Sequence, residues 1–246
     1  MSRIIWGINP VLEYLRHAPE KIEEIVISKK ELRGKVYQIL EKAQKLGLPV
    51  KVKKDFFPPR LPPEANTQGV VAYLKEFDYA ELDDLFRKAR SSREKPLFLA
   101  LDEITDPQNL GSLIRSAVAA GAHGIIIPKH RAAGITGTVV KVAAGATSLI
   151  PIHQTKNLGR LLEELKERDL WIAGLEARAE RNIYQLDLNL PLVWVVGSEG
   201  KGLRPSIREK CDFLAAVPMR GPLDSLNAAV AGAIALFETI RQRYYL

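Results

Sequence analysis

A single cysteine, Cys211, stands among the 246 residues, so no internal disulfide can form and disulfide-stapled secreted scaffolds are excluded. No long apolar signal core is read in the opening MSRIIWGINP, and together these place the expectation in the cytoplasm. No apolar run approaches the roughly 20 residues that a spanning helix needs, so no membrane partner is expected. The four histidines, His17, His123, His130 and His153, make no HExxH pattern or ligand cluster, and one cysteine cannot build a zinc site, so no metal is expected. The spacings GxGxxG, GxxxxGK[ST] and GxSxG are absent, which argues against a dinucleotide fingerprint, a nucleotide-phosphate loop and a serine nucleophile elbow. Cys211 itself reads as a small core residue.

What is present is an apolar share of 46%, enough to core one large domain or two ordinary ones, and a net charge of +7 that favours anionic partners. The charge is unevenly spread. Residues 1–75 hold 14 Lys and Arg against 8 Asp and Glu, residues 76–95 hold 5 against 6, and residues 96–246 hold 17 against 15. A small basic module joined to a nearly neutral larger one suggests that the first holds a polyanion; solvated lysine faces are the plainer alternative.

In the first module, Asn9 as cap and Pro10 at the first helical position predict a helix from Pro10 to His17. Ile25–Ile27 read as a strand. Val36, Ile39, Leu40, Ala43 and Leu46 keep helical spacing up to Gly47, followed by strands around Val50 and over Val70–Leu74. Phe57–Pro63, with four prolines, must be a stiff loop. The expected organisation is a domain over 1–75, a linker over 76–95 and a larger domain over 96–246. In the larger domain, aliphatic runs at Leu97–Leu101, Gly124–Ile127, Trp171–Ala173, Leu192–Val196 and Phe213–Val217 alternate with helical stretches. That pattern predicts an α/β domain with a parallel sheet covered by helices on both faces.

Three strand-to-loop segments of this domain could carry chemistry. In DPQNLGSLIRSA, Leu110, Leu113, Ile114, Ala117 and Val118 form one helical stripe, and Arg115 projects roughly 130° from its centre, flanking the buried face. Asn109, at the loop-to-helix junction, can cap backbone N–H groups or meet a ligand at the positive end of the helix. In VVGSEGKGL, three glycines in six residues allow a ligand to approach the backbone closely, although a plain strand-to-helix turn would use them too. In VPMRGPLDSLN, Ser225 and Asn227 could be helix caps or site residues. The helix that follows, Ala228–Phe237, has no polar side chain, so part of its burial is expected from a second subunit.

Taken together, TDPQNLGSLIRSAVAAGA, VVGSEGKGL and VPMRGPLDSLNAAVAGAIALFE, in that order over residues 97–243, resemble the SpoU (TrmH-like) family of RNA 2′-O-methyltransferases. WGINPVLEYL and Gln68-Gly69 resemble the ribosomal-protein-like RNA-binding domain that precedes the catalytic domain in one branch. The resemblance implies that the C-terminal part of the sheet is tied in a deep trefoil knot, with S-adenosylmethionine as cofactor and a homodimer formed through the C-terminal helix. It implies cofactor contacts from Gly197, Gly200, Val217, Met219 and Leu226, and catalytic roles for Asn109, Arg115, Glu199, Ser225 and Asn227. The implied reaction is methyl transfer to a ribose 2′-OH of RNA, most often a guanosine of large-subunit ribosomal RNA in this branch. Transfer RNA is the alternative substrate, and a catalytically silent RNA-binding or ribosome-assembly protein of the same fold is the alternative function. Thr67 stands where the branch often has His, and Ser148 where relatives often have Glu. No role is carried onto Ser148. Ala228 and Ala229 replace the more usual Val-Ser.

Overall fold

The computed structural model describes residues 3–245 apart from 55, 60 and 62, so two positions of the Phe57–Pro63 loop lie outside the described residues. In chain order the elements are β1 (Arg3–Trp6), α1 (Ile8–His17), β2 (Ile22–Ser28), α2 (Lys35–Lys45), β3 (Val50–Lys53), β4 (Val70–Leu74), α3 (Leu82–Ser92), β5 (Leu97–Asp102), α4 (Pro107–Ala119), β6 (Gly124–Pro128), α5 (Gly137–Val142), β7 (Ile152–Thr155), α6 (Leu158–Glu167), β8 (Trp171–Leu175), β9 (Arg181–Asn182), β10 (Leu192–Gly197), α7 (Pro205–Arg208), β11 (Phe213–Ala216) and α8 (Ala228–Tyr244). They divide into two compact units. One runs to Asp78 and also takes in Ile135–Leu149; the other comprises Tyr79–Gly134 and the chain from Ile150 onward.

The first unit is a four-stranded sheet in the order β1-β4-β2-β3, with β4 antiparallel to β1 and β2, and β2 parallel to β3. Helix α1 starts two residues before the position expected from Asn9 and Pro10. Gly7, at φ 94°, takes the cap position, and the Gln68 side chain accepts a hydrogen bond from the Ile8 amide at 2.9 Å; Asn9 has no capping role. A partner 60 residues away in sequence therefore moves the start of the helix. Leu46, grouped with the buried stripe by spacing, is 45% exposed because α2 ends at Lys45 and Leu46 falls on the cap.

Ile135–Leu149 packs into this same unit. A side chain at Gly137 would strike the Ile4 carbonyl oxygen, which lies 1.8 Å from where a Cβ would stand, so only glycine lets α5 lie against β1. The Lys141 ammonium sits 4.9 Å from the centroid of the Trp6 ring, and the Tyr14 and Thr147 hydroxyls are 3.2 Å apart in the interior.

The second unit is a seven-stranded sheet in the order β7-β6-β5-β10-β8-β11-β9, and every neighbouring pair is parallel. The five expected strands are present. β7 and the two-residue β9 are additional, and β11 ends at Ala216, leaving Val217 in the following loop. Alternation along the strands explains the two covered faces. Phe98, Ala100, Val193 and Val195 meet α3, α6 and α7 through Leu85, Leu162 and Ile207. On the other face Trp194 donates to the Thr239 hydroxyl of α8 at 2.9 Å, and a Cβ on Gly232 would lie 2.5 Å from Leu113, so α8 and α4 touch at glycine. Each large aliphatic fully buried this way contributes about 1.5–3 kcal/mol. Helix α3 falls in the stretch expected as a linker. Its Leu85 and Ala89 are fully buried in this core, where Gly124 leaves room for Leu85.

Candidate active site

The loops after β8, β10 and β11 surround a cavity of about 280 Å³ at the carboxyl end of the parallel strands, where open α/β sheets hold ligands. Gly197, Glu199 and Gly200 reach it from the second motif, and Val217, Met219, Ser225 and Leu226 from the third. Its apolar walls come from Leu175, Val196, Ala215 and Ala228. The glycines shape it for specific reasons. A Cβ on Gly197 would lie 2.2 Å from the Gly202 backbone, because Ser198 and Gly202 pair through two backbone hydrogen bonds of 3.1 and 2.9 Å that fold the loop back on the strand. Gly200, at φ 78°, forms the turn and has open space where a side chain would be.

Beside the cavity, three residues from the three motifs form a closed hydrogen-bonded group. Asn227 donates to Asn109 Oδ1 at 2.9 Å, Asn109 donates to Glu199 Oε2 at 3.1 Å, and Asn227 also donates to Glu199 Oε2 at 3.3 Å. Asn109 is only 8% exposed, so its amide would be costly to leave unpaired. It is not a helix cap: Asp106 caps α4 by accepting from the Gln108 amide at 3.0 Å. Asn227 is a cap and more, since its Oδ1 accepts from the Ala229 and Val230 amides at 2.9 and 3.3 Å while its Nδ2 serves Asn109 and Glu199. Ser225 caps nothing and faces the cavity.

Arg115 stands apart. It lies six residues beyond Asn109, roughly 9 Å further along α4, and does not line the cavity. Its side chain is exposed, without a hydrogen bond or ion pair among the described residues.

Sequence reasoning missed the loop after β8, which brings Glu176 and Arg178 to the cavity, and also missed the anchor of the glycine loop. Asp102, 1% exposed at the end of β5, accepts from the Arg204 amide at 2.9 Å and from its Nε at 2.8 Å. That hydrogen bond to Asp102 raises the Arg204 pKa above its ordinary value. The one available signal was an aspartate closing an otherwise apolar strand. Cys211 is inert: burial pushes its thiol up to about 12, and it donates weakly to the Ile207 carbonyl at 3.4 Å. No cluster of metal-ligating side chains occurs among the described residues, and no helix there is long and apolar enough to cross a membrane.

Comparison with known proteins gives two family matches. Residues 96–237 match the SpoU rRNA Methylase family, and residues 4–80 match the family described as RNA 2′-O ribose methyltransferase substrate binding. The chain is 43% identical over 240 residues to YacO of Bacillus subtilis, which carries a TrmH family tRNA/rRNA methyltransferase name, covering 96% of this chain and 94% of the relative. It is 40% identical over 239 residues to the 23S rRNA (guanosine-2′-O-)-methyltransferase RlmB of Pseudomonas aeruginosa, covering 97% and 96%. Among solved structures it resembles the SpoU methyltransferase AviRb of Streptomyces viridochromogenes in complex with AdoMet, with a TM-score of 0.81 and 26% identity over 98% of this chain and 90% of that one.

Proposed function

The chain belongs to the SpoU rRNA methylase family, and on that premise we propose that it transfers the methyl group of S-adenosylmethionine to the 2′-hydroxyl of a guanosine in large-subunit ribosomal RNA. The observation that carries the reading is the closed Asn109–Glu199–Asn227 group beside a cavity walled by the second and third motifs. The presence of Asn109, Arg115, Glu199, Ser225 and Asn227 together argues against a catalytically silent protein of this fold.

The residues present fit S-adenosylmethionine. The apolar walls suit a flat purine, and the carboxylates of Glu176 and Glu199 suit a molecule carrying sulfonium and ammonium charges. Gly197, Gly200, Val217, Met219 and Leu226 would hold it, the glycines by letting backbone approach. When bound, it supplies a methyl group made electrophilic by the positive sulfur.

The chain's residues then have an alignment task, because an in-line displacement gains much of its rate from orientation. Asn109 and Asn227 fix the Glu199 carboxylate, and Ser225 shapes the third loop at the cavity. Arg115 acts by charge. A guanidinium keeps its proton in proteins, so it stabilises negative charge developing on the 2′-oxygen, or holds a neighbouring phosphate, while the 2′-hydroxyl proton passes to solvent water rather than to Arg115.

The basic first unit captures RNA through phosphate contacts and the second performs the transfer. The C-terminal part of the sheet is tied in a deep trefoil knot, a reading that rests on the family resemblance of the three motifs. The working form is a homodimer through α8. Val230, Phe237 and Tyr244, spaced seven apart on that helix, are about half exposed, an apolar stripe that a second copy would cover. The relatives' ribosomal substrate is consistent with work in the cytoplasm. The test is incubation of the protein with methyl-labelled S-adenosylmethionine and separate pools of unmodified ribosomal and transfer RNA. Label in the ribosomal pool is expected. Label only in transfer RNA would replace the substrate, and cofactor binding without transfer to either pool would favour the silent RNA-binding protein.

A further inference from the structure

The first unit holds a second cavity, of about 540 Å³, where the carboxyl ends of β1 and β2 meet the start of β4. Phe56 and Val36 give it an apolar side, and Ser28, Asn66, Thr67 and Gln68 a polar one. Cations gather at the same place. Arg33 lines it, Lys29 follows Ser28, and Lys53 is the register partner of Ser28, with its ammonium 4.8 Å from the centroid of the Phe56 ring; Glu31 is the acidic residue of the lining.

The backbone here is held in uncommon conformations. Gly7 and Gly34, each adjoining a lining residue, have φ 94° and 53°, while Gln68 and Gly69 have φ 50° and 77°. A glutamine in the left-handed region persists only where its surroundings hold it, and such positions concentrate at ligand clamps. What holds Gln68 is visible. Its amide N–H donates to Asn66 Oδ1 at 3.0 Å, and its Oε1 accepts from the Ile8 amide at 2.9 Å. Its side-chain NH₂ is left without a partner among the described residues, as a donor at the cavity.

We infer that this cavity receives one unpaired nucleotide of the RNA substrate, at a position separate from the ribose that is methylated. A flat apolar wall, amide and hydroxyl groups and surrounding cations match a base, its polar edge and its phosphates. A paired helix does not fit this chemistry, because duplex RNA encloses its base faces and hides their edges in a deep groove. The cavity thus selects RNA by an exposed base, whereas phosphate contacts alone would not distinguish paired from unpaired strands. This rests on the RNA-methyltransferase reading above.

The test uses the full chain and two probes, an unmodified large-subunit ribosomal RNA transcript and a fully paired RNA duplex. Phe56→Leu removes the ring but keeps apolar packing. Gln68→Asn keeps a residue type that tolerates the left-handed backbone but shortens the amide. Neither changes charge. Lys45→Glu, at the far end of α2, changes charge away from the cavity. Thermal melting checks that each variant is folded, and the two neutral variants make the result independent of either one. The expected result is about tenfold weaker binding of the transcript by both neutral variants with duplex affinity unchanged, while Lys45→Glu weakens both probes alike. Equal loss on both probes, or transcript affinity unchanged in the folded neutral variants, would overturn the assignment of the cavity. Failure of the unmutated protein to bind the transcript at all would instead count against the RNA-methyltransferase reading.

Discussion

Asn227 performs two tasks with one side chain, and substitutions can separate them. Its Oδ1 accepts from two amides at the start of α8, while its Nδ2 donates to Asn109 and Glu199. Asn227→Ala removes both. Loss of the cap costs about 0.5–2 kcal/mol, and leaving the buried Asn109 carbonyl oxygen unpaired costs about 1–3 kcal/mol, so the expected destabilisation is about 2–4 kcal/mol. Since each kcal/mol moves the Tm of a chain this size by about 2–4 °C, the Tm should fall by roughly 4–16 °C. Asn227→Ser keeps a side-chain oxygen for the cap but has no amide reaching Asn109 and Glu199. It should melt above the alanine variant by the cap contribution while sharing its defect in methyl transfer, at least tenfold if holding Glu199 contributes about 1.4 kcal/mol to the transition state. Melting curves and initial rates with saturating S-adenosylmethionine read the two effects separately. A serine variant with the unmutated rate would refute the reasoning that the hydrogen-bonded group positions the site.

Arg115→Ala should abolish methyl transfer while calorimetry shows S-adenosylmethionine binding unchanged, because the exposed guanidinium lies outside the cavity. Normal turnover would remove Arg115 from the mechanism. Asp102→Asn weakens the anchor of the glycine loop and should cost about 2 kcal/mol in denaturant unfolding, a value reduced because Arg204 is partly exposed; cofactor affinity should fall with it. His123 is buried, which pulls its pKa below the ordinary value, and its Nδ1 accepts from the Leu97 amide at 3.1 Å. Its contribution is therefore fully present above about pH 6.5 and is lost as pH falls below that, when the unfolded chain takes up a proton that the native one refuses. Unfolding at pH 7 and pH 5 should show the loss, and His123→Gln should reduce it. Phe237→Glu places a charge on the exposed stripe of α8 and should convert a dimer to a monomer in sedimentation; an unchanged mass would reject α8 as the interface.

The parallel sheet was legible because its strands are buried on both faces and read as aliphatic runs, Leu192–Val196 most clearly. Short, weakly apolar strands such as Ile152–Thr155 and Arg181–Asn182 carry no such signal. Long-range partners were invisible for the same physical reason. Periodicity describes a helix's own faces, so it could not show that Gln68 would set the start of α1, or that Gly137 would lie against Ile4. That second contact has a practical consequence. Removing residues 1–75 would leave the buried Val139 and Val140 without the sheet they pack on, so charge variants are a cleaner test of RNA capture than truncation. At the candidate site, the resemblance to the SpoU family named seven residues that line the cavity and two that are bonded beside it, whereas the residues alone left Asn109, Ser225 and Asn227 open between capping and site roles. Glu176, Arg178 and the Asp102–Arg204 anchor escaped because each looks like an ordinary surface or strand-end charge until the strands are set side by side.

The most direct test of the central claim is where the transferred methyl group sits. Alkaline cleavage of RNA needs a free 2′-hydroxyl, so a methylated ribose protects the bond that follows it. Ribosomal RNA labelled by this protein should, after complete alkaline digestion, yield the label in an alkali-stable dinucleotide whose first residue is guanosine. Label recovered in single nucleotides would mean that a base was methylated, and would contradict the account.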